Sequence, residues 1–379
     1  MKKRVLLGLS GGVDSAIAAH KLLEQGYEVT GAFMRNWDAF TNGDILGNPT
    51  IKNDQCPQEK DYDDAVAVAK KLGIPLIRID YVKEYWDNVF SYFLDEYKKG
   101  RTPNPDILCN SMIKFGPFLD YALENGFDYI SMGHYAKKVL KDGVYYLAKP
   151  TDLKKDQTYF LCDLDEKQIE KCLWPMEDIT KVEAREIADK LGLNEVAEKH
   201  GSTGVCFIGE RHFREFLQNY FPAHNGKIVD IENGKVLGEH IGVLYYTIGQ
   251  RKGLGIGGVK GEPDTAWFVA KKDVKNNILY VGRGEGDEHL NSDACTLSRL
   301  NWVGPRPEGP LHCVAKFRYR QVDNPITIEL SGDEATLKFD SIVKAVTPGQ
   351  WAAIYADDGR LLGGGIIEKT FYKGKRQDI

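Results

Sequence analysis

A short apolar run, residues 4–9, leads without a break into Ser10-Gly11-Gly12-Val13-Asp14-Ser15, and a helical pattern starts at once. No other feature of the chain constrains the fold as strongly. A nearly continuous apolar strand belongs in a parallel sheet covered on both faces. A parallel strand also needs a long crossover, usually a helix, before its neighbour can form. The next hundred residues meet that demand. Helical patterns at 15–25, 58–72, 82–99 and 112–125 alternate with strand patterns at 27–34, 75–81 and 127–132. The expected fold of the first part is therefore α/β, a doubly wound parallel sheet that binds ligands at the carboxyl ends of its strands.

The hexapeptide has the chemistry of an anion cradle. Gly11 and Gly12 allow a tight turn and bring bare N–H groups against a ligand. The start of the helix adds its dipole and unpaired amides. Ser10 and Ser15 offer hydroxyl donors, and Asp14 could hold a magnesium ion bridging phosphates. The loop lacks the Gly-Lys-Ser/Thr ending of a Walker motif, so it supplies no lysine to a terminal phosphate. A glycine-rich turn without a ligand is the bland alternative, and the full hexapeptide at the first strand–helix junction weighs against it.

Beyond residue 140 the pattern loosens, with helices expected at 166–172, 181–191 and 211–220. From Gly226 onward short β-branched segments alternate with Asn-Gly, Ser-Gly and Asp-Asp-Gly turns, an all-β signature. We expect three parts: a catalytic domain at 1–210, a small central β-rich module at 211–280, and a C-terminal β-barrel at 281–379. No apolar run nears the roughly 18–20 residues that span a bilayer, and a cytoplasmic protein is expected. Seven cysteines are scattered without a C-x-x-C pair, which fits neither a zinc knuckle nor a disulfide framework. The net charge of −5 requires any polyanion to be met by local basic patches. Lys316-Phe317-Arg318-Tyr319-Arg320 mixes cations with aromatics, and residues 245–260 lack acids and carry Arg251, Lys252 and Lys260. Both compositions suit nucleic acid.

Cys109 lies in the proline-rich stretch TPNPDILCN (102–110), and Cys206 lies in the glycine-rich STGVCFIGER (202–211). Both are expected in loops, where reactive groups concentrate. Asp106 precedes Cys109 by three residues and could exchange a proton with a substrate. Cys56, Cys162, Cys172, Cys295 and Cys313 are read as buried, inert thiols.

The loop SGGVDS resembles that of the PP-loop ATP pyrophosphatases. Together with TPNPDILCN, MGHYA (132–136), KDQTYFL (155–161), STGVCFIGER, YTIGQRKG (246–253), FRYRQ (317–321) and PGQ (348–350), it makes the whole chain similar to the tRNA-specific 2-thiouridylases. One departure is Ala16, where a second serine is expected. The resemblance implies ATP-dependent 2-thiolation of the wobble uridine of tRNA. It places ATP on Gly8, Leu9, Ser10, Gly11, Gly12, Val13, Asp14 and Ser15, with Met34 and Gly133 near the adenosine and Mg2+ on Asp14. Asn104, Pro105 and Asp106 would surround the target base. Cys206 would carry a persulfide loaded by a sulfur-carrier protein, and Cys109 would be its partner. A reductant would reopen the resulting Cys109–Cys206 disulfide. His134, Lys155, Asp156, Gln157, Arg318, Tyr319 and Gln350 would touch tRNA.

Two rival readings remain open at this point. A PP-loop ligase acting on a small molecule would explain the phosphate loop but not the two cysteines. A non-catalytic tRNA-binding protein would use ATP only as a conformational ligand.

Overall fold

The computed structural model describes residues 2–46, 57–193, 213–256, 265–284 and 286–377. Cys56, Lys260 and the whole 202–211 segment with Cys206 lie outside the described residues.

Strands β1 (Arg4–Gly8), β2 (Glu28–Arg35), β3 (Leu76–Asp80) and β4 (Tyr129–Ser131) pair in parallel. A hairpin, β5 (Lys137–Lys141) and β6 (Val144–Ala148), then leaves this sheet. The chain returns as β7 (Cys172–Leu173), which completes the order β3-β2-β1-β4-β7. Side chains alternate across a strand, and two cores follow from that. Val5, Leu7, Val29 and Phe33 pack with Ile17, Ala65 and Ala184 from helices α1 (Val13–Glu24), α2 (Pro57–Leu72) and, further along, Lys181–Lys190. Leu6, Ala32 and Ile130 join a cluster with Tyr85, Phe90 and Phe118. The sheet is thus covered on both faces, as expected of a doubly wound fold.

Helix α3 covers residues 82–98 and contains a π-helical turn at Trp86–Phe90. Two expectations here need correction. Residues 102–110 are not an extended loop: Pro105–Cys109 forms helix α4, continued by a π-turn at Asn110–Lys114. The continuous helix expected over 112–125 is broken at Phe115 and Gly116, and helix α5 (Pro117–Glu124) starts afresh with its proline in the first turn. A proline disfavours helical geometry in the residue before it yet suits the first helical position. Further on, α6 (Glu166–Glu170) stops short of residue 172 because Cys172 and Leu173 pair with Ile130 and Ser131. Helices α7 (Lys181–Lys190) and α8 (Phe213–Gln218) follow.

The central module is a four-stranded sheet of β8 (Gly226–Asp230), β9 (Val236–His240), β10 (Trp267–Asp273) and β11 (Ile278–Arg283), in the order β10-β11-β8-β9. The C-terminal part comprises β12 (Asn291–Trp302), β13 (Leu311–Lys316), β14 (Asn324–Ser331), β15 (Glu334–Lys344), β16 (Trp351–Tyr355), β17 (Arg360–Tyr372) and the short β18 (Lys375–Gln377). Six of these close a barrel, β12-β15-β14-β13-β16-β17, because β17 returns to pair with β12. Closure removes the exposed edges of the sheet. Its interior holds Leu297, Ala315, Ile326, Ile328, Leu337, Ile354 and Ile367. The hairpin β5–β6 adds to this same sheet through Leu147 opposite Leu361. The first part of the chain and the barrel therefore share one hydrogen-bonded ladder. No helix among the described residues is long and apolar enough to cross a membrane.

Candidate active site

The phosphate loop takes its shape from local backbone chemistry. Apolar β1 ends at Gly8, and α1 begins at Val13, with Gly12 in the capping position and no side-chain cap. Gly11 adopts φ +73°, and a Cβ there would lie 2.4 Å from the carbonyl oxygen of Asp61 on α2. Ser15 Oγ accepts from the Ser10 amide (3.2 Å) and donates to the Gly12 carbonyl (2.9 Å), which cross-braces the turn. The end of β4 closes over it: a Cβ on Gly133 would sit 2.7 Å from the Ser15 nitrogen. The tips of Met34 and Met132 fill the space beside Gly8, 2.9 and 2.5 Å from where its Cβ would be. The expected adenosine neighbours Met34 and Gly133 therefore do converge on the loop.

Asp14 does not stand alone. Its Oδ1 accepts from Tyr135 Oη at 2.9 Å and from Lys181 Nζ at 2.6 Å. Lys181 occupies the first turn of α7, whose start is held by a capping box between Thr180 and Glu183. Burial pulls the Lys181 ammonium below its ordinary pKa, Asp14 opposes that shift, and Lys155 and Arg185 add positive field. The loop thus has the buried lysine that its motif lacks, supplied from 167 residues away. Sequence reading missed Lys181 and Tyr135. One signal was available: a lysine in the first turn of a capped helix opposes the helix dipole, so it calls for a nearby anion. Asp14 keeps a second carboxylate oxygen beside the loop. That suits magnesium, which takes one or two protein carboxylates together with substrate phosphates.

Around Cys109 the structure is helical rather than an extended loop. Asn104 caps α4, its Oδ1 accepting from the Asp106 amide at 3.2 Å, and Pro105 takes the first helical position. Asp106 is half-buried and the Cys109 side chain is fully buried. Cys162, Cys172, Cys295 and Cys313 are buried as expected, and burial pushes the Cys313 thiol up to about 12.

The residues expected to touch tRNA lie in several settings. Gln350 Nε2 donates to the Thr102 carbonyl at 2.7 Å, just ahead of Asn104. Asp156 is buried, paired with Lys316 Nζ at 3.0 Å, and accepts from the Thr158 amide. Gln157 exchanges hydrogen bonds with the backbone of Tyr135, at 2.8 and 3.0 Å. Arg318 donates to the carbonyls of Ile248 and Ala345 and to Thr347 Oγ1, which joins the YTIGQRKG segment to the barrel. Burial lowers the pKa of that guanidinium. The Tyr319 ring packs on Phe160 with centroids 4.5 Å apart. The His134 ring lies near Phe115, and its Nδ1 is enclosed without a hydrogen-bond partner. Burial pushes that imidazole well below its ordinary pKa, so it is neutral at pH 7. Lys155 remains half-exposed, near enough for its charge to act on Lys181.

Comparison with known proteins gives full-length matches. The family described as "tRNA methyl transferase HUP domain" matches residues 3–210. "tRNA methyl transferase PRC-barrel domain" matches 214–283, and "Aminomethyltransferase beta-barrel domain" matches 292–367. A protein of Mycoplasma mycoides subsp. mycoides is 53% identical over 98% of this chain and 100% of its own length. One from Acholeplasma laidlawii is 50% identical over 100% of this chain and 99% of its own. One from Streptococcus thermophilus is 47% identical over 99% and 97%. Each of the three is described as "tRNA-specific 2-thiouridylase MnmA". A solved complex of a 4-thiouridine synthetase with RNA and bound ATP aligns at 14% identity and TM-score 0.33, over 57% of this chain and 50% of that one. That likeness is too loose to carry an argument.

Proposed function

Because the chain belongs to the tRNA-specific 2-thiouridylase family, we propose that it replaces the 2-oxygen of a wobble uridine in tRNA with sulfur, using ATP. The observation that carries the ATP half is the brace of Asp14, Tyr135 and Lys181 behind an uncapped helix start. Such a start gathers backbone amides for a triphosphate, and Lys181 adds a partly desolvated cation. The tRNA half rests on the full-length relatives.

An amide-like carbonyl is a poor electrophile because its oxygen leaves badly. The uracil 2-oxygen attacks the α-phosphorus of ATP, and pyrophosphate departs. The loop amides and Lys181 stabilise the charge that develops on it. Magnesium, held by Asp14 and the phosphates, would add electrostatic stabilisation to the leaving group. A persulfide on Cys206, received from a sulfur-carrier protein, then attacks C2. AMP leaves with the original oxygen. The thiolate of Cys109 attacks the Cys206 sulfur, so that the outer sulfur stays on the base and a Cys109–Cys206 disulfide forms. In the alternative order Cys109 first releases hydrosulfide, which attacks C2. Either order oxidises two thiols to a disulfide, and an external dithiol must reduce it. Asn104, Pro105 and Asp106 border the flipped base, with Asp106 available for proton exchange. His134, Lys155, Asp156, Gln157, Arg318, Tyr319 and Gln350 are the proposed tRNA contacts.

The test is direct. Unmodified tRNA is incubated with ATP, magnesium and a persulfide donor, digested, and analysed for 2-thiouridine by mass spectrometry. Wild type is expected to form it only with ATP, and Cys109→Ser and Cys206→Ser are expected to fail. Pyrophosphate release with a small-molecule acceptor and no thiouridine would replace this reading with a ligase.

A further inference from the structure

Helix α4 reaches its end at Cys109, and the turn after it is tied to the barrel through one buried carboxylate. Ser111 Oγ donates to Asp163 Oδ2 at 2.7 Å, and the Arg299 guanidinium of β12 donates to the same oxygen at 3.1 Å. The Asp163 side chain is 9% exposed. A carboxylate so enclosed is costly unless it is paired and hydrogen-bonded, and both partners are present. Burial raises its pKa, and Arg299 and Ser111 oppose that.

The barrel is locally distorted at this point. Arg299 adopts φ +45°, a sparsely populated conformation for a residue with a side chain. The β12–β17 register shifts between Ser298 and Asn301. From the same irregularity Asn301 Nδ2 donates to the carbonyls of Cys162 (3.0 Å) and Leu164 (2.7 Å), on either side of Asp163. Bulges re-aim side chains in this way. A second tie runs parallel: Asn110 Nδ2 donates to the Phe160 carbonyl at 2.8 Å. At the other end of the helix, Gln350 and Pro348 of the barrel bond the backbone of Thr102.

We infer that Asp163, aimed by Arg299 and Asn301 of the barrel, is a positioning residue that fixes the Cys109 helix through Ser111. Its catalytic consequence rests on the proposed role of Cys109 in sulfur transfer. The C-terminal barrel then determines where Cys109 stands, in addition to any contact it makes with RNA.

The experiment compares wild type with Asp163→Ala, Asp163→Asn, Ser111→Ala and Arg299→Lys. Two readouts are taken on the full chain: iodoacetamide alkylation of Cys109, followed by peptide mass spectrometry, and single-turnover 2-thiouridine formation beside tRNA-dependent pyrophosphate release. Asp163→Ala and Ser111→Ala should speed Cys109 alkylation about 10-fold. They should slow thiouridine formation ~10- to 100-fold, the scale of a misplaced reacting group, while pyrophosphate release, which depends on the Asn104–Asp106 end of the helix that Gln350 still holds, stays within about 2-fold. Asp163→Asn keeps an oxygen for both donors and should stay within about 3-fold of wild type; Arg299→Lys keeps the charge and should fall between. Unchanged alkylation in a folded Asp163→Ala protein overturns the inference. So does a parallel fall of thiolation and pyrophosphate release without rescue by Asn, which marks general destabilisation. If wild type forms no thiouridine, the functional reading fails, and the alkylation series still decides whether Asp163 holds the helix.

Discussion

The phosphate loop and the Cys109 helix are built in opposite ways. Within residues 8–15 the loop braces itself, through hydrogen bonds among Ser10, Gly12 and Ser15 and a glycine at φ +73°. The Cys109 helix has a local start, the Asn104 cap, but its register in the molecule depends on Gln350, Asp163 and Arg299, which lie in or are held by distant parts of the chain. A loop braced by itself and, at Asp14, by Tyr135 and Lys181 of the same α/β part can be ready for ATP whatever the barrel does. A helix tied to the barrel at both ends is correctly placed only when all parts are docked. The activation half of the reaction should therefore tolerate damage to the domain junction better than the sulfur-transfer half.

The largest expected effect strikes the loop. Gly133→Ala puts a methyl 2.7 Å from the Ser15 nitrogen, and tRNA-dependent pyrophosphate release should fall ~100- to 1000-fold, the scale of misplaced amide donors at a developing charge. Arg101→Ala breaks the junction instead. Arg101 pairs with Glu96 at 2.6 Å and with Glu368 of β17 at 2.5 Å, and its loss strands partly buried carboxylates. Stability by denaturant titration should drop about 3 kcal/mol, with thiolation falling more than pyrophosphate release in the protein that remains folded. If both activities fall equally, the contrast between the two regions is wrong. Lys181→Met removes a cation without disturbing the backbone, and pyrophosphate release should fall ~100-fold, the scale of one lost electrostatic donor. An unchanged rate would restrict Lys181 to neutralising Asp14.

The smallest effect is a pH dependence at the junction. Burial would raise the Glu368 pKa, but hydrogen bonds from Arg101 and Ser298 outweigh it and the net shift is downward. A carboxyl with a depressed folded pKa contributes stability above its unfolded pKa and loses it as pH falls through the folded one. Stability should therefore decline on acidification below the ordinary glutamate range, and Glu368→Gln should flatten that part of the curve. A slope that survives in Glu368→Gln assigns the effect to other carboxylates.

Much of the first domain was legible because its signals are periodic and local. Strand, loop and helix around Ser10–Ser15 read directly, as did the β-rich character from Gly226 onward. The Cys109 segment escapes a sequence reading because two prolines suggest an extended loop, whereas Asn104-Pro105-Asp106 is also a helix start: a capping side chain followed by proline in the first turn. The helix expected over 166–172 takes in Cys172, the first residue of β7, because two residues are too few to show a period, and only pairing with Ile130 and Ser131 makes Cys172 and Leu173 a strand. The hairpin β5–β6 follows the first four strands in sequence but belongs to the barrel sheet, which no local pattern reveals.

From the sequence alone came the parallel layer, the phosphate turn and the barrel-like tail, since apolar period and glycine placement act on neighbouring residues through steric rules. Tertiary structure alone decided that Lys181 faces Asp14, that the barrel grips the Cys109 helix and that Asp163 is enclosed between Ser111 and Arg299. Those pairings join residues more than 50 positions apart, and side chains so distant acquire partners only when the burial of whole faces brings their elements together.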